Sequence, residues 1–133
     1  MITRDYIDKI NRFYYDNKIE TRDIDIISYY GDILKIGLCW DITDPYDETI
    51  ILENVDLISC PTHWISDVNR NFISLVEEDS DEFSLITKRY STKYEAGYDL
   101  LRIEESWGEV FYFSAKNIRF INRKLSIQEI LNY

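Results

Sequence analysis

Between Ile24 and Trp40 the chain runs through two β-rich stretches, Ile24–Tyr30 and Ile33–Trp40, separated by Gly31-Asp32. A Gly-Asp pair at that place predicts a β-hairpin closed by a two-residue type II′ turn. In that register Tyr30 faces Ile33, Tyr29 faces Leu34 and Ile27 faces Ile36. Ile27, Tyr29, Leu34, Ile36, Leu38 and Trp40 then share one face, which reads as a core face. Ile24, Ile26, Tyr30, Ile33 and Cys39 share the other with Ser28, Lys35 and Gly37. Apolar residues on both faces predict a hairpin inside a sheet rather than at its edge.

The flanking pattern supplies the other elements. Tyr6, Ile7, Ile10, Phe13 and Tyr14 repeat at helical spacing behind Thr3, a suitable N-cap, and predict a helix that ends near Asn17-Lys18 and covers one face of the hairpin. Asp41–Glu48, with Pro45 and three Asp, predicts a loop. Thr49–Leu52 reads as a strand, and Val55–Ile58 as its continuation or a fourth strand. After Pro61, Thr62 predicts the cap of a middle helix, because Trp64, Val68, Phe72 and Leu75 recur at i, i+4, i+8 and i+11. The acidic run Glu77–Glu82 would then meet the negative end of that helix dipole, a local cost. Phe83–Tyr90 reads as a strand leading to the polar loop Ser91–Gly97. Asp99–Glu105 and Glu109–Ser114 form a second hairpin about Ser106-Trp107-Gly108, and Asn117–Asn122 a last strand. Ser126 and Glu129 make a capping box for a short C-terminal helix. The expected whole is one α+β domain over residues 1–133. It has a mainly antiparallel sheet of about 5–7 strands built on hairpin 24–40, with N-terminal, middle and short C-terminal helices.

Composition narrows the class. The 133 residues are 45% hydrophobic and 15% aromatic, which fits a packed core rather than a disordered chain. No apolar run approaches the roughly 18 residues of a membrane helix, and the opening residues lack the pattern of a signal peptide, so a cytoplasmic location is expected. Cys39 and Cys60, the two cysteines, read as buried free thiols. With 21 Ile and two Ala, the bias is that of AT-rich codons and points to an AT-rich bacterial, phage or mobile-element genome. Net charge is −10 and unevenly placed: residues 41–82 hold twelve acids and a single base, Arg70. Block asymmetry of this kind points to an interaction surface.

Most catalytic signatures are missing. Four Gly, none in GxxxxGK or GxGxxG spacing, give no phosphate-cradling loop, and no GxSxG elbow occurs. His63 is the single histidine, which removes His-pair metal sites. Cys60-Pro-Thr-His63, with Asp67 to orient the imidazole, is the one arrangement fit for nucleophilic chemistry. A zinc site from Cys39, Cys60, His63 and a carboxylate, and a cation loop at Asp41, Asp44, Asp47 and Glu48, both lack the spacing of known sites, so no cofactor or metal is expected. Lys116, Arg119, Arg123 and Lys124 form a short basic stripe around Phe120, but a chain at −10 is poorly suited to nucleic acid.

What remains is the acidic middle. Asp41, Asp44, Tyr46, Asp47 and Glu48, with Glu77, Glu78, Asp79, Asp81 and Glu82, are expected to form one face that docks onto a basic partner protein, such as a nuclease or other nucleic-acid-handling protein, and occludes its groove. Tyr46, Trp64 and Trp107 are candidate anchors. In size, charge and want of catalytic motifs the chain is similar in type to small inhibitors carried by mobile elements, such as anti-CRISPR or toxin-immunity proteins. The likeness is of type and transfers no residue. The competing expectations are a small enzyme or ligand-binding domain around Cys60, His63 and Asp67, and a structural subunit that pairs through an exposed strand edge.

Overall fold

The computed structural model describes residues 1–41, 45–91 and 96–133. Among them are three helices and nine strands in two antiparallel sheets, the expected α+β class. In chain order these are α1 (Arg4–Asp16), β1 (Thr21–Tyr30), β2 (Ile33–Cys39), β3 (Glu48–Glu53), β4 (Leu57–Ser59), β5 (His63–Asp67), β6 (Ile73–Leu75), α2 (Asp81–Tyr90), β7 (Asp99–Glu104), β8 (Val110–Ala115), β9 (Asn117–Ile121) and α3 (Ile127–Leu131). The first sheet has the order β5-β1-β2-β3-β9 and the second β4-β8-β7-β6. The inner faces of the sheets and the apolar stripe of α1 enclose the main core, from Ile10, Tyr14, Leu34, Ile36 and Ile50 to Trp64, Leu101 and Phe113. α3 covers the outer face of the first sheet and α2 that of the second, each over a smaller apolar cluster.

The hairpin is central, as its two-sided pattern predicts, with two corrections. Gly31 and Asp32 both have positive φ, 60° and 62°, the signature of a type I′ turn instead of II′. Tyr30 pairs with Ile33 and Tyr29 with Leu34, but the ladder then slips: Ser28 pairs with Lys35 and Ile26 with Ile36, leaving Ile27 as an extra residue in a β-bulge. Ile24 and Ile26 therefore face the main core, and Ile27 packs outside with Cys39, Tyr46, Leu125 and Ile130. Tyr29 and Trp40, expected on the core face, are exposed.

The larger correction concerns residues 62–90. Trp64–Leu75 is not a helix but the strands β5 and β6. Trp64, Ser66 and Val68 alternate inward at the strand period of two, and spacings of four and eight satisfy that period as well as the helical one. The middle helix is α2 instead, over residues expected to be a strand. Ser80 accepts the Phe83 N–H at 3.0 Å as N-cap, Asp81 and Glu82 occupy the first turn, and Lys88 and Arg89 the last. The acidic run thus lies at the favourable end of a dipole. Asn54, with φ 53°, breaks the chain after β3, so the segment from Val55 does not extend that strand, and β4 joins the other sheet. α1, the second hairpin, β9 and the α3 capping box form as the sequence predicts, with Thr3 capping α1.

A polar network lies under the C-terminal half of α1. Glu48 is 3% exposed and accepts from Arg22 Nε at 2.9 Å, Arg22 Nη2 at 3.1 Å and the Tyr14 hydroxyl at 2.8 Å. Burial, then the Glu48 charge and hydrogen bond, hold the Tyr14 phenol well above its ordinary value of 10. Burial works against the Arg22 cation, but the bonds and charge of Glu48 outweigh it, and its pKa is raised above the ordinary guanidinium value.

Two measurements test this description. A raised folded-state pKa gives stability that is present below the unfolded value and lost as pH climbs towards the folded one. Tyr14→Phe should cost about 1–2 kcal/mol at pH 8 in urea unfolding, and its gap from the parent should narrow above pH 10; a gap that widens there contradicts the network. Deleting Ile27 joins Ile26 to Ser28 opposite Ile36 and Lys35, a regular ladder. The shortened chain should keep the parent's circular dichroism and lose about 1 kcal/mol for one half-buried side chain; global unfolding contradicts the bulge.

Candidate interaction surface

The bulge sets the outer face at one end of the first sheet. Downstream of it in the ladder, Asp25 lies opposite Gly37 and His63, and Asp23 opposite Cys39 and Ile65. Asp25 is the hub: its Oδ2 accepts from the Tyr46 hydroxyl at 2.6 Å, and its Oδ1 lies 2.5 Å from His63 Nδ1. The other imidazole nitrogen faces Asp23 at 3.7 Å. Burial, with Asp41 and Asp25 nearby, raises the Asp23 carboxyl above its usual range, against the pull of His63. The Tyr46 ring lies flat against Gly37, where any Cβ would come within 2.5 Å of it. Tyr46 also exchanges backbone hydrogen bonds with Leu125, at 2.8 and 3.0 Å, which fixes the segment before β3 to the chain leading into α3.

Around this ledge the register gathers residues far apart in sequence. Trp40 and Asp41 follow β2 in a bend after Cys39, and Asp67 closes β5. Asp47 donates its N–H to Leu38 O and accepts the Trp40 N–H at 2.9 Å. From the second sheet, the tip of the β7–β8 hairpin reaches across: Ser106 donates its N–H to Ile65 O at 2.9 Å and its hydroxyl to Asp67 at 3.0 Å. Trp107 follows directly. Trp40 is 73% exposed and Trp107 80%. Asp23, Asp41, Asp47, Asp67, Glu105 and Glu109 share this end; Arg70 lies 4.0 Å from Asp67 and Lys124 3.9 Å from Asp47.

The residues expected from sequence divide accordingly. Asp41 and Asp47 are at this end, while Asp44 lies outside the described residues. Tyr46 is 6% exposed and Glu48 is consumed by Arg22 and Tyr14, so neither is a surface contact. Trp64 is buried, its Nε1–H on Ser66 Oγ, and is no anchor; Trp107 is placed to be one. Glu77, Glu78, Asp79 and Asp81 are exposed, and Glu82 accepts from Tyr112 and pairs with Arg102. They sit beside α2 on the outer side of the second sheet, so the two acidic segments do not form one continuous face. Burial and Glu82 push the Tyr112 phenol up to about 12. Lys116 lies over Tyr98, Arg119 and Arg123 over Tyr133, and Lys124 near Asp47: the basic stripe engages the chain's own groups. Trp40 escaped the sequence reading because straight pairing places it in the core, and the His63 ledge because nothing in the residue pattern announces a bulge.

The Cys60, His63 and Asp67 arrangement is not assembled. His63 is held by Asp25 and Asp23, Asp67 by Ser106 and Arg70, and Cys60 packs against the main core. Burial pushes the Cys60 thiol up to about 11, away from the thiolate. Cys39 belongs to the outer cluster, and the two thiols are not bonded to each other. Among the described residues no group of three or more His, Cys, Asp or Glu is disposed to hold a metal ion, and no helix is long and apolar enough to cross a membrane. No protein-family model, curated protein or solved structure matches the chain.

Iodoacetamide at pH 8 should therefore alkylate Cys60 at least about tenfold more slowly in the native protein than in urea, read by peptide mass mapping. Equal rates would return Cys60 to consideration as a nucleophile.

Proposed function

We propose that this protein is a non-enzymatic, stoichiometric binding protein whose acidic, tryptophan-bearing end docks onto a basic, nucleic-acid-handling protein and occludes its groove. In this reading it is an inhibitor of the anti-CRISPR or toxin-immunity type, at work in the cytoplasm of a cell carrying a phage or mobile element. The observation that carries it is the exposure of Trp40 and Trp107 at the same end of the first sheet, amid carboxylates from β1, β2, β5, the segment before β3 and the β7–β8 turn. Indole rings are the side chains that dominate binding energy where a partner covers them. Carboxylates around them speed encounter with a positive surface and discriminate against other partners. The enzyme reading lacks its geometry, since the groups that would make the dyad are each engaged elsewhere.

The test begins with capture from the source cell's lysate at about 0.1 M and about 0.5 M salt, two conditions that differ about twofold in screening length. A basic protein held at low salt and weakened at high salt is the expected result. Against that protein, the Trp40→Ala/Trp107→Ala variant should lose about 2 kcal/mol or more of binding, the scale of a hot spot. Asp41→Lys with Glu109→Lys should slow association. Tyr30→Ala, an equally exposed ring at the opposite end of the hairpin, should change nothing. Undiminished binding by the double tryptophan variant overturns the proposal.

A further inference from the structure

A second site lies between α1 and β9, the last strand of the first sheet, which is paired with β3 alone. The Met1 ammonium donates to Asn117 at the start of β9, and Phe120 packs edge to face on Phe13 at 5.3 Å, so β9 runs alongside α1 in the same direction. Asn122, just past the strand, then comes level with Asp16 and Asn17 at the end of the helix. Helix and strand enclose a cleft of about 590 Å³, within the roughly 300–1,000 Å³ of small-molecule sites. Tyr6, Ile10, Phe13 and Phe120 give it an apolar, largely aromatic wall. Lys9, Arg12, Asp16, Asn17 and Asn122 supply its other polar groups.

These polar groups are sorted by position along α1. Ahead of Phe13 they donate. Lys9 and Arg12 are exposed cations, and among the described residues neither lies within ion-pair distance of an acid, although Asp5, Asp8 and Asp16 each stand one turn from one or the other. Arg4, Arg22, Arg70, Arg102, Arg119 and Lys124 all have such partners. The Tyr6 hydroxyl accepts the Phe120 N–H at 2.7 Å, which occupies a lone pair and leaves its own proton to donate. Beyond Phe13 the helix offers acceptors. One is the Asp16 carboxylate. The other is Asn17 Oδ1, because the Asn17 amide is oriented by its Nδ2–H donating to Phe13 O at 2.8 Å. Lys9 and Asp16, seven residues apart, are separated by about 10 Å along the helix axis, with the Phe13 ring between them.

A ligand that matches this order carries an anionic group with several acceptors, then a flat ring, then an edge that donates. We infer that the α1–β9 cleft binds a nucleoside monophosphate whose base bears an exocyclic amino group. The phosphate lies on Lys9, Arg12 and Tyr6, the base against Phe13 and Phe120, and the amino group on Asp16 and Asn17. Charge-assisted bonds to phosphate and stacking of a base on aromatic rings supply the affinity. A single nucleotide suits the cleft better than a longer strand, whose further phosphates would meet the field of a chain at −10. The inference is independent of the proposed function, and the cleft shares no residue with the tryptophan end.

The test titrates AMP and CMP into the 15N-labelled chain, beside IMP and UMP, which carry an oxygen in place of the amino group, the nucleosides adenosine and cytidine, and inorganic phosphate. AMP or CMP should give saturable shifts at the backbone amides of residues 9–17 and 118–122. Its oxo counterpart, its nucleoside and phosphate alone should each bind at least about tenfold more weakly, the worth of one charge-assisted hydrogen bond. Lys9→Gln/Arg12→Gln, a change on the exposed surface of α1, should weaken the nucleotide by about tenfold or more and leave the circular dichroism unchanged. Asp16→Asn, whose amide both donates and accepts, should bring the amino and oxo nucleotides close to equal affinity. Phe13→Leu, which keeps an apolar side chain but no ring, should weaken both. No saturable shift with AMP or CMP, phosphate alone binding as tightly as either, equal binding of the amino and oxo pairs by the parent chain, or an unaffected Lys9→Gln/Arg12→Gln variant would each overturn the inference.

Discussion

The arrangement depends on a bulge in β1 that absorbs one extra residue, Ile27, and so keeps the pairing beyond it in phase. Continued without interruption from Tyr30–Ile33 and Tyr29–Leu34, the ladder would set Asp25 opposite Leu38 and Asp23 opposite Trp40, on the face that packs the main core. Two unpaired carboxylates inside that core would cost several kcal/mol each, more than a hairpin could recover. The bulge at Ile27 reverses the alternation below it. Ile24 and Ile26 turn inward, Asp23 and Asp25 turn outward to meet His63 and Tyr46, and Arg22 turns inward. One slip therefore decides both what fills the core and what lines the acidic end.

The inward turn of Arg22 needs an answer, and Glu48 gives it. Leu38 separates the two strands that carry them, and the guanidinium reaches across β2 to bind the carboxylate with two N–H groups while Tyr14 adds a third donor from α1. A buried pair of this kind contributes little net stability over an apolar substitute, because desolvation offsets the attraction. Its effect lies in selection. Any register that leaves Arg22 or Glu48 inside without the other is penalised by about 3–5 kcal/mol, so the network and the bulge specify the same pairing. It also fixes the last turns of α1 over the sheet, where Tyr14 meets Phe72 edge to face at 5.4 Å.

How much of this was legible in the sequence follows from which signals are single-valued. The Ser126–Glu129 capping box and the α1 stripe each admit one structure, and each formed, while Gly31-Asp32 marks the place of a two-residue turn but suits both primed types, and the chain takes I′ where II′ is expected. Trp64, Val68 and Phe72 admit two, because multiples of four belong to both periods; the tie was settled by Pro61 and Thr62, which open helices elsewhere. The odd member, Leu75, and the polar Ser66 buried at 0% between Trp64 and Val68 show the strand period only once the chain is folded. Tertiary geometry made the rest invisible. No local pattern says that Ser106 will hydrogen-bond to Ile65, and without that bond Trp107 has no relation to Asp67 or Trp40.

The same geometry changes which charges call for a functional account. Read as the tail of a helix, Glu77–Glu82 is a run kept against local stability. At the head of α2 it is stabilising: Ser80 caps, Asp81 and Glu82 favour the dipole, and Glu82 binds Arg102 and Tyr112. At the end of the first sheet the carboxylates are held by other partners, His63, Tyr46, Ser106, Arg70 and Lys124. There burial, helped by Asp41 and Asp25, raises the proton affinity of the Asp23 carboxyl against the pull of the His63 imidazole, and two exposed tryptophans share this end of the sheet. The same slip of register that turns Asp23 and Asp25 outward therefore also decides which carboxylates and which rings this end of the sheet presents to solvent.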